Sequence, residues 1–258
     1  MLGPDGTSGT AMRGNGGEAD VPGLVVAGGE VEDLDWLRRE ARSVRIIVAA
    51  DRGAVALVAA GVMPDVLVGD LDSVDAATVA RLEAAGVLVE RHPADKDATD
   101  LELAIDVAVA RGVTRLRIAG ALRPATTGGP RLDHLFGNLA ALGGAAGRVA
   151  EARLVAPDAE VTVITGPGSC VLTGGDGDHV SLVALGDRVD GIRTTGLRWP
   201  LVDESLAWGT TRGVSNELAT RDAKVEVRAG RLLVAHQRRI DSNMLDGSHR
   251  PSGSVGAS

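Results

Sequence analysis

Five aspartates follow short apolar runs in the first half of this 258-residue chain: Asp51, Asp70, Asp72, Asp97 and Asp100. If the runs are parallel strands, their carboxyl ends share one edge of a sheet, where such sheets bind ligands. Converging carboxylates repel one another unless a cation neutralises them. Mg²⁺ prefers carboxylate oxygens together with substrate phosphates. The sequence therefore predicts magnesium-dependent phosphate chemistry at this edge.

A purely structural interpretation of the same aspartates stays open at this point. Asp70 and Asp72 can form a turn after a strand. Thr99, with a glutamate three residues on, fits a capping box, and Asp97 and Asp100 would then favour the positive end of the following helix. Capping and metal binding are compatible, and the joint placement at strand ends favours a site.

A second candidate site is the segment Gly128-Gly129-Pro130-Arg131-Leu132-Asp133-His134. Paired glycines let the backbone approach a ligand closely, and Arg131 offers a fork of donors suited to phosphate. Asp133 is expected at the start of a helix, and His134 is expected to pack or hydrogen-bond there. The structural alternative is a loop with a surface arginine and a capping aspartate.

The sequence pattern of the elements that position these residues changes once along the chain. This change predicts two domains between disordered tails at 1–21 and 237–258. From 22 to 157, apolar runs alternate with helical stretches near 31–41, 53–60, 75–85, 100–111 and 133–147, which indicates a Rossmann-like α/β domain with a mainly parallel sheet. From 158 to 236, short alternating runs recur without a convincing helix. We expect an antiparallel β-sandwich there. The fold class is therefore α/β.

The second half contains a tryptophan in an unusual setting, Leu197-Arg198-Trp199-Pro200-Leu201. A tryptophan beside proline in a polar loop can stack on an aromatic ligand, although covering the edge of the sheets is an equal alternative. Ser215 and Asn216 stand in a second loop, where they could be turn residues only. Trp36 and Trp208 are assigned to packing, as is Cys170, the only cysteine.

Composition excludes several classes. The net charge of −8 argues against nucleic-acid binding, and Lys96 and Lys224 are the only lysines, so phosphate contacts fall mainly to arginine. No apolar run suits a membrane span or a signal peptide, which predicts a cytoplasmic protein. The chain shows no phosphate loop, no dinucleotide fingerprint after the first strand and no nucleophile elbow.

Four motifs in order closely resemble the thiamine pyrophosphokinase (thiamine diphosphokinase) family. They are Ala50-Asp51-x-Gly53-Ala54, Pro64-Asp65-x-x-x-Gly69-Asp70-x-Asp72-Ser73, Lys96-Asp97-x-Thr99-Asp100-Leu101-Glu102 and Arg131-Leu132-Asp133-His134-x-x-x-Asn138. The tryptophan loop and Val214-Ser215-Asn216 resemble the family's thiamine-binding β domain. The resemblance spans roughly Leu24 to Ala235. The chain departs from the family at Arg52, where glycine is common, and at the inserted Pro130.

The resemblance implies transfer of pyrophosphate from ATP to thiamine, giving thiamine diphosphate and AMP, with Mg²⁺ as cofactor in a homodimer. By the same resemblance, metal-binding and catalytic roles are expected for Asp70, Asp72 and Asp100. ATP contacts are expected for Asp51, Asp97, Thr99, Arg131 and Asp133, and thiamine contacts for Trp199, Ser215 and Asn216. The alternatives are a pyrophosphokinase for another heterocyclic alcohol, such as a hydroxymethylpterin, and a non-catalytic nucleotide- or thiamine-binding regulator.

Overall fold

The computed structural model of the chain describes residues 20–95, 97–123 and 131–239. The expected tails lie almost wholly outside these residues, as do Lys96 and the segment Gly128-Gly129-Pro130. Regular hydrogen bonding begins slightly before residue 22 and continues slightly beyond residue 236, the predicted limits of the two domains. Val21 already donates its amide to Thr114 Oγ1 at 2.9 Å, and the last strand runs to Gln237.

The first half alternates strands and helices as the sequence predicts. The strands are β1 (Pro22–Val26), β2 (Ile46–Ala50), β3 (Val66–Gly69), β4 (Leu88–Arg91), β5 (Arg115–Ala119) and β6 (Glu151–Ala156). The helices are α1 (Leu34–Arg42), α2 (Gly53–Ala59), α3 (Ala76–Ala84), α4 (Asp100–Ala110) and α5 (Leu132–Ala145). All five predicted helices are present within two or three residues of their expected ends. None of the helices within the described residues has the length and apolarity needed to cross a membrane.

The sheet is mixed, with its parallel part in the order β4-β3-β2-β1-β5-β6. Alternate residues of a strand face opposite sides of a sheet. Accordingly, Val25 packs in a core with α4 and α5, whereas Leu24 and Val26 pack in a second core with α1 and α2. Helices therefore cover both faces, and this burial explains why the parallel strands read as continuous apolar runs.

The second half is antiparallel and continues the same path of strands. Its strands are β7 (Ala159–Thr165), β8 (Gly168–Thr173), β9 (His179–Thr195), β10 (Glu204–Ala207), β11 (Asn216–Glu217), β12 (Asp222–Val227) and β13 (Ala229–Gln237). Beyond β6 the order is β7-β13-β9-β12-β8, and β10 and β11 also pair with β9. These strands share a third apolar core that includes Leu182, Val225 and Leu232.

The turn at Pro157-Asp158, where a domain boundary is predicted, joins the hydrogen-bonded neighbours β6 and β7, so the two halves share one sheet. Two side chains differ from the expectations. The tryptophan assigned to packing at Trp208 is 67% exposed, and His134 is also exposed. In contrast, Trp36 is half-buried against the second core and Cys170 packs against the third, as expected.

Candidate active site

Three of the five predicted aspartates meet at the carboxyl edge of the parallel strands. Asp51 follows β2, Asp70 follows β3, and Asp100 is the first residue of α4. One carboxylate oxygen of each lies within 4.8 Å of the others, and all three side chains are half-buried. We call these residues the acidic trio. A group of hard oxygen donors at this spacing can hold a divalent cation.

The backbone around the trio adopts unusual conformations. Asp51 has φ +44° and Leu71, between Asp70 and Asp72, has φ +65°, in the left-handed region that costs side-chain-bearing residues free energy. Gly69 has φ +150°, and a Cβ there would lie 3.1 Å from Asp51 Cβ and 3.3 Å from Asp100 Oδ1. Glycine is therefore required for the close approach of the trio.

Electrostatics disfavour the ionised form of Asp51 when no cation is present. Burial, the largest cause, raises the pKa of its carboxyl above the ordinary value, and the charges of Asp100 and Asp70 raise it further. The nearby Ser73 side chain and the Arg52 amide lower it in part. Asp51 Oδ1 is buried and has no hydrogen-bond partner among the described residues. A buried acceptor left in this way is costly unless a cation occupies its lone pairs.

Asp72 lies next to the trio but does not join it. Its side chain is exposed, and Ser73 Oγ donates a hydrogen bond to Asp72 Oδ1 at 2.9 Å. The Asp72 amide donates to Asp70 Oδ1 at 3.2 Å, which ties the turn to the trio. Sequence reasoning placed Asp72 with the metal-binding residues and Asp51 with ATP. The geometry brings together Asp51, Asp70 and Asp100 instead, and the individual roles stay predictions.

The capping interpretation also holds for Thr99. Its hydroxyl accepts from the Glu102 amide at 3.2 Å, so it caps α4 and fixes the helix start that carries Asp100. Asp100 therefore serves both the helix terminus and the trio, as the sequence allowed. Asp97 is exposed and stays outside the trio.

Arg131 and Asp133 form an exposed, forked ion pair at the start of α5. Arg131 Nε and Nη2 donate to the Asp133 carboxylate at 2.9 and 2.7 Å. The pair holds the pKa of the Asp133 carboxyl well below its usual range and raises the pKa of the Arg131 guanidinium. Because the pair is solvent-exposed, its stability contribution is small, and a phosphate group can replace the carboxylate as partner.

A separate platform lies in the antiparallel half. Trp199 is 55% exposed beside a cavity of about 320 Å³ that is also lined by Pro200, Ser215 and Asn216. The Arg198 guanidinium lies 5.6 Å from the centre of the Trp199 ring, so one aromatic face already attracts a cation.

Asn216 holds this platform in place. It is 7% exposed, accepts from the Trp199 amide at 3.1 Å and donates to the Trp199 carbonyl at 2.7 Å. The neighbouring Ser215 is exposed and has φ +64°, and its amide donates to the Ser181 hydroxyl oxygen at 3.2 Å. The paired hydrogen bonds of Asn216 were not foreseen from the sequence, because nothing in a short polar loop indicates a partner 17 residues away.

Fold and site together define an α/β protein with a carboxylate site at the carboxyl edge of its parallel strands and an aromatic platform in its antiparallel half. Two family models match the chain: "Thiamin pyrophosphokinase, catalytic domain" over residues 37–151 and "Thiamin pyrophosphokinase, vitamin B1 binding domain" over residues 170–232.

Known proteins agree with the family models. The thiamine pyrophosphokinase of Bacillus subtilis (strain 168) is 28% identical over 195 residues, covering 75% of this chain and 88% of that protein. A crystal structure of thiamin pyrophosphokinase from Geobacillus thermodenitrificans is 31% identical, with a TM-score of 0.68 over 86% of this chain and 98% of that one. The yeast enzyme, at 14% identity and a TM-score of 0.67, shares the fold. The chain belongs to the thiamin pyrophosphokinase family.

Proposed function

We propose that this protein is a thiamine diphosphokinase, which transfers pyrophosphate from ATP to thiamine to give thiamine diphosphate and AMP. The observation that carries the proposal is the acidic trio, which lies within the region of the family's catalytic model. The Trp199 platform, within the region of the vitamin B1 binding model, supports thiamine as the acceptor. The same two regions support the predicted domains at 22–157 and 158–236, the second as a sandwich around its own core.

Mg²⁺ fits the acidic trio. All three donors are carboxylates, and the buried Asp51 Oδ1 has no hydrogen-bond partner among the described residues. We propose that Asp51, Asp70 and Asp100 hold the ion, which would neutralise charge on the phosphate oxygens of ATP.

Residues around the trio then accept the proton and bind the phosphate oxygens in the reaction. The hydroxyl oxygen of thiamine forms a bond to the β-phosphorus of ATP, the bond from that phosphorus to the AMP oxygen breaks, and the hydroxyl proton leaves. Asp72, exposed beside the trio, accepts that proton. Arg131 exchanges its Asp133 partner for phosphate oxygens and offsets their charge. Asp97 and Thr99, in the loop before α4, border the nucleotide.

The Trp199 ring offers a face for thiamine, whose thiazolium is a cation. Replacing Trp199 by alanine is expected to raise the KM for thiamine about 10- to 30-fold, since a desolvated cation–π contact contributes about 2 kcal/mol. Steady-state assays at saturating ATP measure the KM for thiamine. Trp208→Ala is the matched control, because Trp208 is 67% exposed and lies outside this cavity. An unchanged thiamine KM in the Trp199 variant would remove this residue from the substrate site.

Magnesium binding is expected to depend on pH through Asp51. Because its pKa is raised, Asp51 adds to the stability of the ion-free folded protein below about pH 4, the ordinary carboxyl range. That contribution is lost as pH rises through the raised pKa. Mg²⁺ competes with that proton, so stabilisation by Mg²⁺ should grow over the same window. Thermal unfolding with and without MgCl₂, at about pH 4, the ordinary carboxyl range, and at about pH 7.5, measures the difference. Equal increases in melting temperature on adding Mg²⁺ at the two pH values would contradict this prediction.

The deciding experiment incubates the purified protein with ATP, Mg²⁺ and thiamine and detects thiamine diphosphate and AMP by mass. Adding 6-hydroxymethylpterin as a competing alcohol tests the main enzymatic alternative, which the platform in the antiparallel half argues against. Tight binding of both substrates by calorimetry without AMP formation would favour the regulator instead.

We further propose that the protein acts as a cytoplasmic homodimer, as the family resemblance implies. Leu132 and Phe136 support this, because they lie one turn apart on α5 and are 63% and 69% exposed. Light scattering on the purified protein gives the oligomeric state.

A further inference from the structure

His236 is a buried histidine that the proposed reaction does not use. It lies on β13, is 3% exposed, and has a carboxylate beside each ring nitrogen. Nε2 lies 3.2 Å from Asp178 Oδ2, and Nδ1 lies 3.6 Å from Glu160 Oε1. A neutral imidazole has only one N–H and would turn a lone pair towards one of these oxygens, whereas an imidazolium presents a proton to each. The geometry therefore suits the charged ring.

The charges around this ring come from the elements packed against β13. Glu160 is on β7, directly opposite His236 in the ladder, and Asp178 immediately precedes β9. The Glu160 carboxylate, and after it that of Asp178, raises the pKa of His236, although burial lowers it in part. On the far side of Glu160 lies Arg153 of β6, whose guanidinium donates to Glu160 Oε2 at 2.9 Å and also pairs with Glu151. Although burial opposes ionisation of Glu160, His236 and Arg153 lower the pKa of its carboxyl to about 2.

Asp178 is buried in the turn between β8 and β9. It is 4% exposed, and its carboxylate accepts from the amides of Gly175 and Arg239, each at 2.9 Å. A Cβ at Gly174 would lie 2.3 Å from Asp178 Oδ2 and 2.9 Å from His236 Nε2, so a side chain there would collide with both groups. A buried carboxylate is stable in its position only while its charge is paired. The conformation of this turn therefore depends on the ring of His236.

The same turn supports β11, the two-residue strand that includes Asn216. The Asp178 carbonyl accepts from the Leu218 amide at 2.9 Å, and the first two residues of β9 pair with both residues of β11. So short a strand makes few hydrogen bonds, and its position depends on its neighbours. Asn216 in turn bonds to the amide and the carbonyl of Trp199. Contacts therefore continue from His236 through Asp178 and β11 to the Trp199 platform.

We propose that His236 is a positioning residue for thiamine: as an imidazolium between Glu160 and Asp178, it fixes the turn that supports β11 and thereby holds the Trp199 platform in its binding geometry. This rests on the proposed function, since it takes the platform as the thiamine site. Loss of the ring's charge leaves the buried Asp178 without its cation, which favours movement of that carboxylate towards water. The turn and β11 then move with it, whereas the acidic trio, on the parallel strands, stays in place.

His236→Gln tests the proposal by kinetics, because glutamine can bond to one carboxylate but carries no charge. The KM for thiamine should rise about 5- to 10-fold, within the usual range for coupling between two sites, while kcat and the KM for ATP stay unchanged. A merely structural role would lower the amount of folded enzyme, and with it the apparent kcat, but not the affinity for thiamine. His179→Gln is the matched control, since His179 is exposed and only its backbone pairs with β11.

The pH profile of the thiamine KM gives a second readout. Because the pKa of His236 is raised from the ordinary value of about 6.5, its charge is complete below that pH and is lost as pH rises through the raised pKa. The wild-type KM for thiamine should therefore rise between about pH 6.5 and about pH 9, and His236→Gln should lack this rise. Asp176 and His179, on either side of Asp178, are exposed and are present in both proteins, so they do not account for a difference.

A third measurement leaves His236 in place. The chain has three tryptophans, so the double variant Trp36→Phe/Trp208→Phe keeps Trp199 as its only indole fluorophore. Thiamine should quench its emission, with a Kd that rises over the same alkaline range. This readout holds even if His236→Gln folds poorly.

The outcomes separate this inference from the proposed function. A wild-type protein that makes no thiamine diphosphate, but whose Trp199 emission responds to thiamine with this pH dependence, would refute the activity and keep the role of His236. An active wild type whose thiamine KM is unchanged in His236→Gln, or rises equally with pH in both proteins, would overturn the positioning role and keep the activity. A Kd for thiamine that stays constant from about pH 6.5 to about pH 9 would also overturn it.

Discussion

Replacing Asp51 by asparagine is expected to lower turnover about 10²- to 10³-fold, the range seen when one preorganised electrostatic group is removed from an active site. Asparagine tolerates the left-handed conformation that Asp51 adopts at φ +44°, so the backbone should be kept. The variant therefore removes a charge and little else.

The same substitution should leave the ion-free protein at least as stable as the wild type. Burial and the charges of Asp100 and Asp70 raise the pKa of Asp51, which means that its ionised form opposes folding at neutral pH. A neutral amide relieves that repulsion. Loss of function without loss of stability is the behaviour of a residue kept for its site rather than for the fold.

The measurements are kcat for thiamine diphosphate formation and the melting temperature with and without Mg²⁺. The wild type should be stabilised by Mg²⁺, whereas Asp51→Asn should respond much less, because a ligand stabilises only in proportion to its affinity for the folded state. Asp106→Asn is the matched control, since Asp106 lies on α4, is exposed and pairs with Arg148. Near-normal turnover in Asp51→Asn would remove it from the metal site.

The helices and parallel strands could be predicted because their signals are local. Val66-Leu67-Val68 is a continuous apolar run, and the structure buries all three residues on both faces of the sheet. The cap at Thr99 has a signature of only four residues, and it is present. The convergence of aspartates followed from strand direction alone, since parallel strands deliver their carboxyl ends to one edge.

Membership of the trio could not be predicted, because it depends on geometry across strands. Asp51 joins through a left-handed backbone conformation that its residue type does not require. Asp72 follows Leu71, which has φ +65°, and its side chain is exposed outside the trio. Gly69 was the one available signal, since a glycine between a buried strand and an aspartate often marks a close approach.

The antiparallel half was the least predictable. β9 runs for 17 residues, from His179 to Thr195, whereas the sequence indicates only short alternating runs in this half. The exposure of Trp208 was also missed. Burial of a lone tryptophan depends on which surface faces it, and short strands do not specify that from local sequence.

Asp72→Asn is expected to lower turnover about 10²-fold or more, the usual contribution of a positioned general base. Its effect should differ in kind from that of Asp51→Asn. Asp72 is exposed and lies outside the trio, so the variant should keep both its melting temperature and its stabilisation by Mg²⁺. The same kinetic and thermal assays measure these quantities, with Asp106→Asn again as the control.

Comparison of kcat, KM and Mg²⁺ stabilisation sharpens this test. If Asp72 accepts the proton of the thiamine hydroxyl, its loss should lower kcat, while the KM values for ATP and thiamine and the stabilisation by Mg²⁺ change little. If Asp72 instead binds the metal, Mg²⁺ stabilisation should fall together with turnover. That outcome would place Asp72 with the trio, as the sequence first indicated, and would leave Asp70 or Asp100 to accept the proton. The two variants together therefore decide whether Asp51 and Asp72 each contribute to holding the ion, and whether Asp72 takes part in proton transfer.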